Sequence, residues 1–182
     1  MFLWINGPFG GGKTTLARRL HAQLDQAVVF DPEEVGFLLR DVFRGREKDF
    51  QDLAPWRPLV VETGARIHEY NQGHPVISPM SLLLQPYGQE ILGGLAKAGV
   101  PVTHLLLHVD PQALAARIDA SAEFPDDEAR SEKVRNFRRR KAQSYQDAYH
   151  QWLRDAAQVI DTTQLTPDQV LDRTLEILEA SW

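Results

Sequence analysis

The chain has 182 residues, 43% of them hydrophobic, with 20 Lys plus Arg against 25 Asp plus Glu and a formal charge of −5. That is enough apolar content for one packed domain, and the acidic balance excludes a surface built to track nucleic-acid phosphates. The absence of cysteine excludes disulfides, a thiolate nucleophile and Cys-ligated metal, and no apolar run approaches the roughly eighteen residues of a membrane helix.

Short apolar runs at residues 2–5, 27–30, 76–78, 102–109 and 158–161 predict strands, because they lack polar alternation and several are rich in Val and Ile, as parallel strands covered on both faces are. Amphipathic stretches at 13–24, 32–42, 56–70, 87–98, 111–120 and 167–180 predict the helices between them. Asp31-Pro32-Glu33-Glu34 and Thr166-Pro167-Asp168-Gln169 each offer a capping side chain, Pro at the first helical position and an acid or amide at the third; Asp110-Pro111 repeats the first two parts, and Gly99 marks a helix stop. The alternation predicts an α/β fold of three layers with a mostly parallel sheet. No linker divides the chain, so 1–182 reads as a single domain, and the first residues lack the basic start and apolar stretch of a signal peptide, which reads as cytoplasmic.

Residues 119–128 hold five acids in ten positions, and residues 130–141 hold seven basic residues in twelve. With Val134, Phe137, Tyr145, Tyr149 and Trp152 spaced as one helical face, this predicts a long helix bearing a basic patch, with 119–141 as a lid segment.

Gly7-Pro8-Phe9-Gly10-Gly11-Gly12-Lys13-Thr14 satisfies G-x-x-x-x-G-K-[ST] between the first strand and the first helix. Such a loop turns amide N–H groups inward at the positive end of a helix and so attracts phosphate. Gly7, Gly10, Gly11, Gly12, Lys13, Thr14 and Thr15 are therefore the candidate nucleotide-binding residues, with Lys13 directed at the β- and γ-phosphates and the Thr14 hydroxyl at Mg2+. No N-K-x-D tetrapeptide that would read guanine occurs, so ATP with Mg2+ is the expected pair.

Phosphoryl transfer needs positioning and positive charge around the moving group. Arg117 and the segment carrying Arg130, Arg135, Arg138, Arg139 and Arg140 could supply that charge; the competing reading of those arginines is a helix face paired with the preceding acids. Asp31, at the end of the second strand, fits an acceptor-orienting or proton-accepting carboxylate and equally a helix cap. The catalytic candidates are Lys13, Asp31, Arg117 and Arg138. The third strand ends Val76-Ile77-Ser78-Pro79 without the acid usual in mechanical ATPases, which leaves Thr14, phosphate oxygens and waters to hold magnesium, with Ser78 or Asp31 behind them. His104 and His108 share a strand face without a third ligand and read as sheet residues rather than metal ligands.

Residues 2–14, the block Asp31-Pro-Glu-Glu-Val-Gly-Phe-Leu-Leu-Arg40, then Trp56-Arg57 and Pro79-Met80 resemble the tunicamycin-resistance ATP-binding protein family in order and spacing, over most of residues 1–120. The basic segment and Asp161-Thr162-Thr163 are similar in outline to shikimate, adenylate and chloramphenicol kinases. The resemblance implies a five-stranded parallel sheet in the order 2-3-1-4-5 and an ATP-binding protein that protects against a nucleoside antibiotic, by phosphorylating the drug or by holding it. It also implies membrane association through an amphipathic C-terminal segment, against which Leu171, Leu175, Leu178 and Trp182 form an ordinary core-facing stripe. Phe37, Arg40, Trp56, Arg57, Met80 and Ser81 are then the acceptor-binding candidates, since aromatics stack on bases and arginines grip oxygen. Three functions follow: a drug kinase, a non-catalytic drug binder, and a nucleotide or metabolite kinase.

Overall fold

The computed structural model describes residues 1–44, 47 and 49–180. Five parallel strands, β1 (Phe2–Asn6), β2 (Val28–Val29), β3 (Val76–Pro79), β4 (Val102–His108) and β5 (Gln158–Asp161), form one sheet in the order β2-β3-β1-β4-β5. The expected three-layer architecture and strand order are thus the observed ones. Every residue of β1 is buried, because helices cover both faces of the central strand.

On one face Leu3, Ile5, Ile77, Leu105 and Leu107 pack with Leu16, Ala17 and Leu20 of α1 (Lys13–Gln23) and with Val170 and Leu178 of α8 (Pro167–Glu179). On the other, Phe2, Trp4, Val76 and Met80 meet α2 (Pro32–Phe43), α3 (Trp56–Tyr70) and α4 (Gln85–Lys97). Beyond them Leu106 meets α5 (Pro111–Asp119) and α6 (Glu128–Ala148). In α8 the stripe of Val170, Thr174 and Leu178 is buried and Leu171 and Leu175 pack against the same core, whereas Trp182 lies outside the described residues. Among the described residues no helix is long and apolar enough to cross a membrane.

Local signals set the helix ends. Asp31 accepts from Glu33 N–H at 2.9 Å, Asp110 from Gln112 N–H at 2.8 Å, and Thr166 and Gln169 form a reciprocal capping box. Gly99 adopts φ 80°, the left-handed turn that a helix stop requires. The long helix differs from expectation at its end: α6 passes through a π turn at Tyr149–Leu153 into α7 (Arg154–Ala156). The wider turn shifts the register so that Trp152 and Leu153 are both buried, with the Trp152 indole donating to Leu83 O at 3.0 Å. A short 3-10 turn, Phe50–Asp52, precedes α3 and gives no periodic signal in sequence.

Asn6 joins the sheet to the phosphate loop. Its buried side chain accepts from Gly7 N–H at 2.8 Å and Leu82 N–H at 3.1 Å, donates to Leu82 O at 3.0 Å and contacts His104 Nε2 at 3.3 Å. Asn6→Ala leaves these buried backbone groups unpaired and is expected to cost about 2–4 kcal/mol, checked by urea unfolding. A loss under about 0.5 kcal/mol would show that water or the loop repairs them.

Candidate active site

The loop 7–12 leaves β1 at its carboxyl end, where crossovers of an open α/β sheet leave room for ligands. Gly10 (φ 84°) and Gly12 (φ 96°) take left-handed conformations there. Gly12 caps α1 without a side-chain bond, and no acid stands in the first turn, so the first amides of α1 keep their N–H groups for an anion. Thr14 and Thr15 are exposed on that turn. Ser81 donates its hydroxyl to Gly7 O at 2.7 Å and fixes the loop from behind.

Lys13 folds back, Nζ donating to Gly7 O at 3.2 Å and Pro8 O at 2.9 Å, with the Phe9 ring 5.4 Å away. Burial pushes its pKa down to about 8; Glu33 opposes the shift and Arg138 adds to it. Burial, reinforced by the neighbouring Asp31, raises the Glu33 carboxyl, and Lys13 partly offsets this. Among the described residues the Glu33 carboxylate has no hydrogen-bond partner, while Asp31 spends one oxygen on its cap.

These groups line a cavity of 410 Å3 that also takes Thr14, Arg40, Asp49, Phe50, Met80, Ser81, Phe137 and Arg138. Of the six acceptor candidates, Arg40, Met80 and Ser81 are on its wall. Phe37 stands edge-on behind Phe50 and under the Arg40 guanidinium. Trp56 has no exposed surface: its indole donates to Pro32 O and its ring packs against Phe50, so it supports the wall from the core and offers no face for stacking. Arg57 is also behind the wall, bonded to Gln51 O and Glu90 at 2.6 Å each and stacked over Tyr87.

Across the loop a second opening, 240 Å3, is lined by Gly10, Gly11, Gly12, Thr15, Leu107, Arg117, Thr162, Leu165 and Pro167 among others. Arg117 lies here, donating to Thr162 O at 2.5 Å and Thr162 Oγ1 at 3.2 Å. It lines this opening and not the cavity that takes Asp31 and Glu33.

The basic face of α6 is largely paired with acids. Arg135 bonds Glu128 and Glu132, Arg139 bonds Asp119 and Glu132, and Arg138 bonds Glu123 at 2.5 Å. Arg138 combines both sequence readings, because it is ion-paired and lines the cavity beside Lys13. The helix touches the loop through Phe137, edge-on to Phe9 at 5.1 Å, and Lys141 reaches Asp49 at 3.2 Å.

Among the described residues the hydroxyl of the fully buried Ser78 has no hydrogen-bond partner; Ser78 shares the sheet face of Trp4 and Val76, opposite the face that α1 covers. His104 stacks on Trp152 and His108 on Tyr149, and burial lowers both pKa values; neither joins a metal cluster among the described residues. Glu33 is the site residue that sequence reasoning missed. Its place in the Asp31 capping sequence accounted for it locally, and the fold brings it into the same cavity as Lys13.

No curated protein sequence matches the chain. Among solved structures it is similar to the Deinococcus radiodurans tunicamycin resistance protein, with 26% identity over 97% of this chain and 94% of that one and a TM-score of 0.71. A sugar kinase from Janibacter sp. HTCC2649 (18% identity, 98% and 94% coverage, TM-score 0.66) and shikimate kinase from Bacteroides thetaiotaomicron (17%, 98% of each chain, 0.62) share the fold. The AAA domain profile AAA_33 matches residues 2–144, a span that takes in the phosphate loop, both carboxylates and most of α6, and the chain belongs to that AAA domain family.

Proposed function

We propose that the chain is an ATP-dependent phosphotransferase that phosphorylates a hydroxyl of a small molecule, a nucleoside antibiotic of the tunicamycin kind being the first acceptor to test. One observation carries this: the phosphate-loop lysine opens into the same cavity as two carboxylates, Asp31 and Glu33. The similarity to a tunicamycin resistance protein supports the choice of acceptor.

The residues fit Mg-ATP. The glycine loop and the unspent amides of α1 would hold the phosphates, the 240 Å3 opening beside Arg117 and Thr162 the adenine, and Thr14 with Asp31 the magnesium, a metal commonly bound by one or two carboxylates plus phosphate and water. The nucleotide supplies an activated γ-phosphoryl group whose transfer passes through a loose, anionic transition state. Lys13 and Arg138 offset that charge. Glu33, with a raised pKa and an uncommitted carboxylate, accepts the acceptor's proton, and Asp31 orients the acceptor hydroxyl. The segment 119–141 closes over the site through the Phe9–Phe137 and Asp49–Lys141 contacts, excluding water from the reaction.

Incubating the protein with γ-labelled ATP, Mg2+ and a panel of tunicamycin, nucleotides and sugars tests the reading. Label on the drug is the expected result. Drug binding without label transfer would replace the kinase by a sequestering protein, and label on a nucleotide or metabolite would replace the acceptor.

Affinity should also depend on pH in a defined sense. Phosphate beside Lys13 raises its pKa from about 8, so binding above pH 8 takes up a proton and weakens by up to about tenfold per pH unit, while binding below pH 8 is insensitive to this group. Calorimetry at pH 7 and pH 9 in buffers of different ionisation enthalpy checks it. Equal affinity with no proton uptake at pH 9 would show that Lys13 does not meet phosphate.

A further inference from the structure

Beside the reaction cavity is a smaller one of 220 Å3, for which the chemistry at Lys13, Asp31 and Glu33 has no use. The two share Phe9, Asp49, Gln51 and Ser81 as a common wall. Small-molecule sites usually measure about 300–1,000 Å3. The larger cavity falls within that range and the smaller below it, so the smaller is an annex suited to one ring or substituent of a ligand seated next door.

Its lining has two characters. Leu83, Leu84 and the Tyr87 ring give an apolar surface, against which the C–H face of a sugar can lie. Asp52, Gln51 and Ser144 give hydrogen-bonding groups: Asp52 accepts from the Tyr87 hydroxyl at 2.9 Å and keeps further lone pairs, while the Gln51 amide is held by its bond to Ser81 O at 3.1 Å. The charged groups among the described residues of the lining are Asp49, Asp52 and Lys141, and the one ammonium is already bridged to Asp49. A phosphate or carboxylate entering here meets the Asp52 carboxylate without an uncommitted cation from the described lining, whereas a hydroxyl finds acceptors.

We propose that this annex binds a second, uncharged, hydroxyl-rich ring of the acceptor, so that the preferred acceptor is a neutral glycoside of at least two rings; this rests on the phosphotransferase reading above. Glycosides of one ring fill only the reaction cavity, and anionic sugars are disfavoured.

Saturation-transfer NMR on the full chain with Mg2+ and a non-hydrolysable ATP analogue tests this. The probes are methyl glucoside against maltose, methyl galactoside against lactose, and glucose 6-phosphate, with label transfer from ATP measured in parallel. At least one disaccharide should bind tenfold or more tighter than its monosaccharide, and the phosphate weakest. Ser144→Trp, at an exposed position on the annex rim, should remove the disaccharide gain and leave monosaccharide and nucleotide binding unchanged; Leu84→Trp, also exposed, provides a second such block. Equal affinities in both pairs, no binding by any probe, stronger binding of the phosphate, or equal weakening of one-ring and two-ring probes by the variants would each overturn the annex. A disaccharide gain lost in the variants with no label transferred would instead contradict the phosphotransferase and keep the annex as part of a binding site. Transfer with equal affinities contradicts the annex alone.

Discussion

Lys13→Ala is expected to lower phosphoryl transfer by a factor of about 10^2–10^3 or more, the size typical of removing one charge-stabilising group from a transition state, while the protein stays folded. The side chain donates to Gly7 O and Pro8 O, so its removal loosens the loop. Against that, a Lys whose folded pKa lies near 8, below the unfolded value near 10.4, is held charged at neutral pH at a cost to the native state. The unfolded chain therefore binds more protons between about pH 8 and 10, and wild-type stability gains from this group as pH rises through that window. The Ala variant lacks that gain. Melting curves at pH 7.5 and 9.5 for both proteins, alongside turnover, separate a catalytic loss from misfolding. Turnover within threefold of wild type would remove Lys13 from the chemistry.

Glu33→Gln is expected to reduce turnover by about 10^2–10^4, the usual worth of a general base, with KM for ATP little changed. The raised Glu33 pKa means that the folded state holds this proton more tightly than the unfolded chain, so its ionisation destabilises the fold as pH rises through the folded pKa. Gln relieves that cost, and the variant should melt at or above the wild-type temperature. Asp31→Asn is the companion experiment. Asn caps a helix about as well as Asp, so the bond to Glu33 N–H survives, and a fall in turnover without a fall in melting temperature assigns Asp31 to the reaction. Asp31→Ala should add about 0.5–2 kcal/mol of instability from the lost cap. If Glu33→Gln turns over normally and Asp31→Asn does not, the proton goes to Asp31.

The parts legible in the sequence were those encoded over a few contiguous residues. The phosphate loop is eight residues with fixed flanks, and the caps at Asp31, Asp110 and Thr166 act within one helical turn. Strand order followed from the resemblance, since apolar runs give strands but no neighbours. What required the folded chain was side-chain direction. Trp56 reads as a stacking aromatic and is instead fully buried. Arg117 reads as a group for phosphate, and the fold adds what the sequence does not show, its bonds to Thr162 and its place on the opening beside Gly10, Gly11 and Gly12. Counting charges gave a basic patch on α6, but helical geometry folds Arg135, Arg138 and Arg139 onto nearby carboxylates, leaving Arg138 as the one of these three that lines the reaction cavity. Asn6 carries no motif at all, and its role depends on Leu82, 76 residues along the chain.

Calorimetric titration of the full chain with Mg-ATP puts the central claim to its most direct test. One saturable site per chain is expected, with thermal protection that rises with ligand concentration and is lost in Lys13→Ala. Absence of both heat and protection in the wild-type protein, or identical binding by the Lys13→Ala variant, would contradict it.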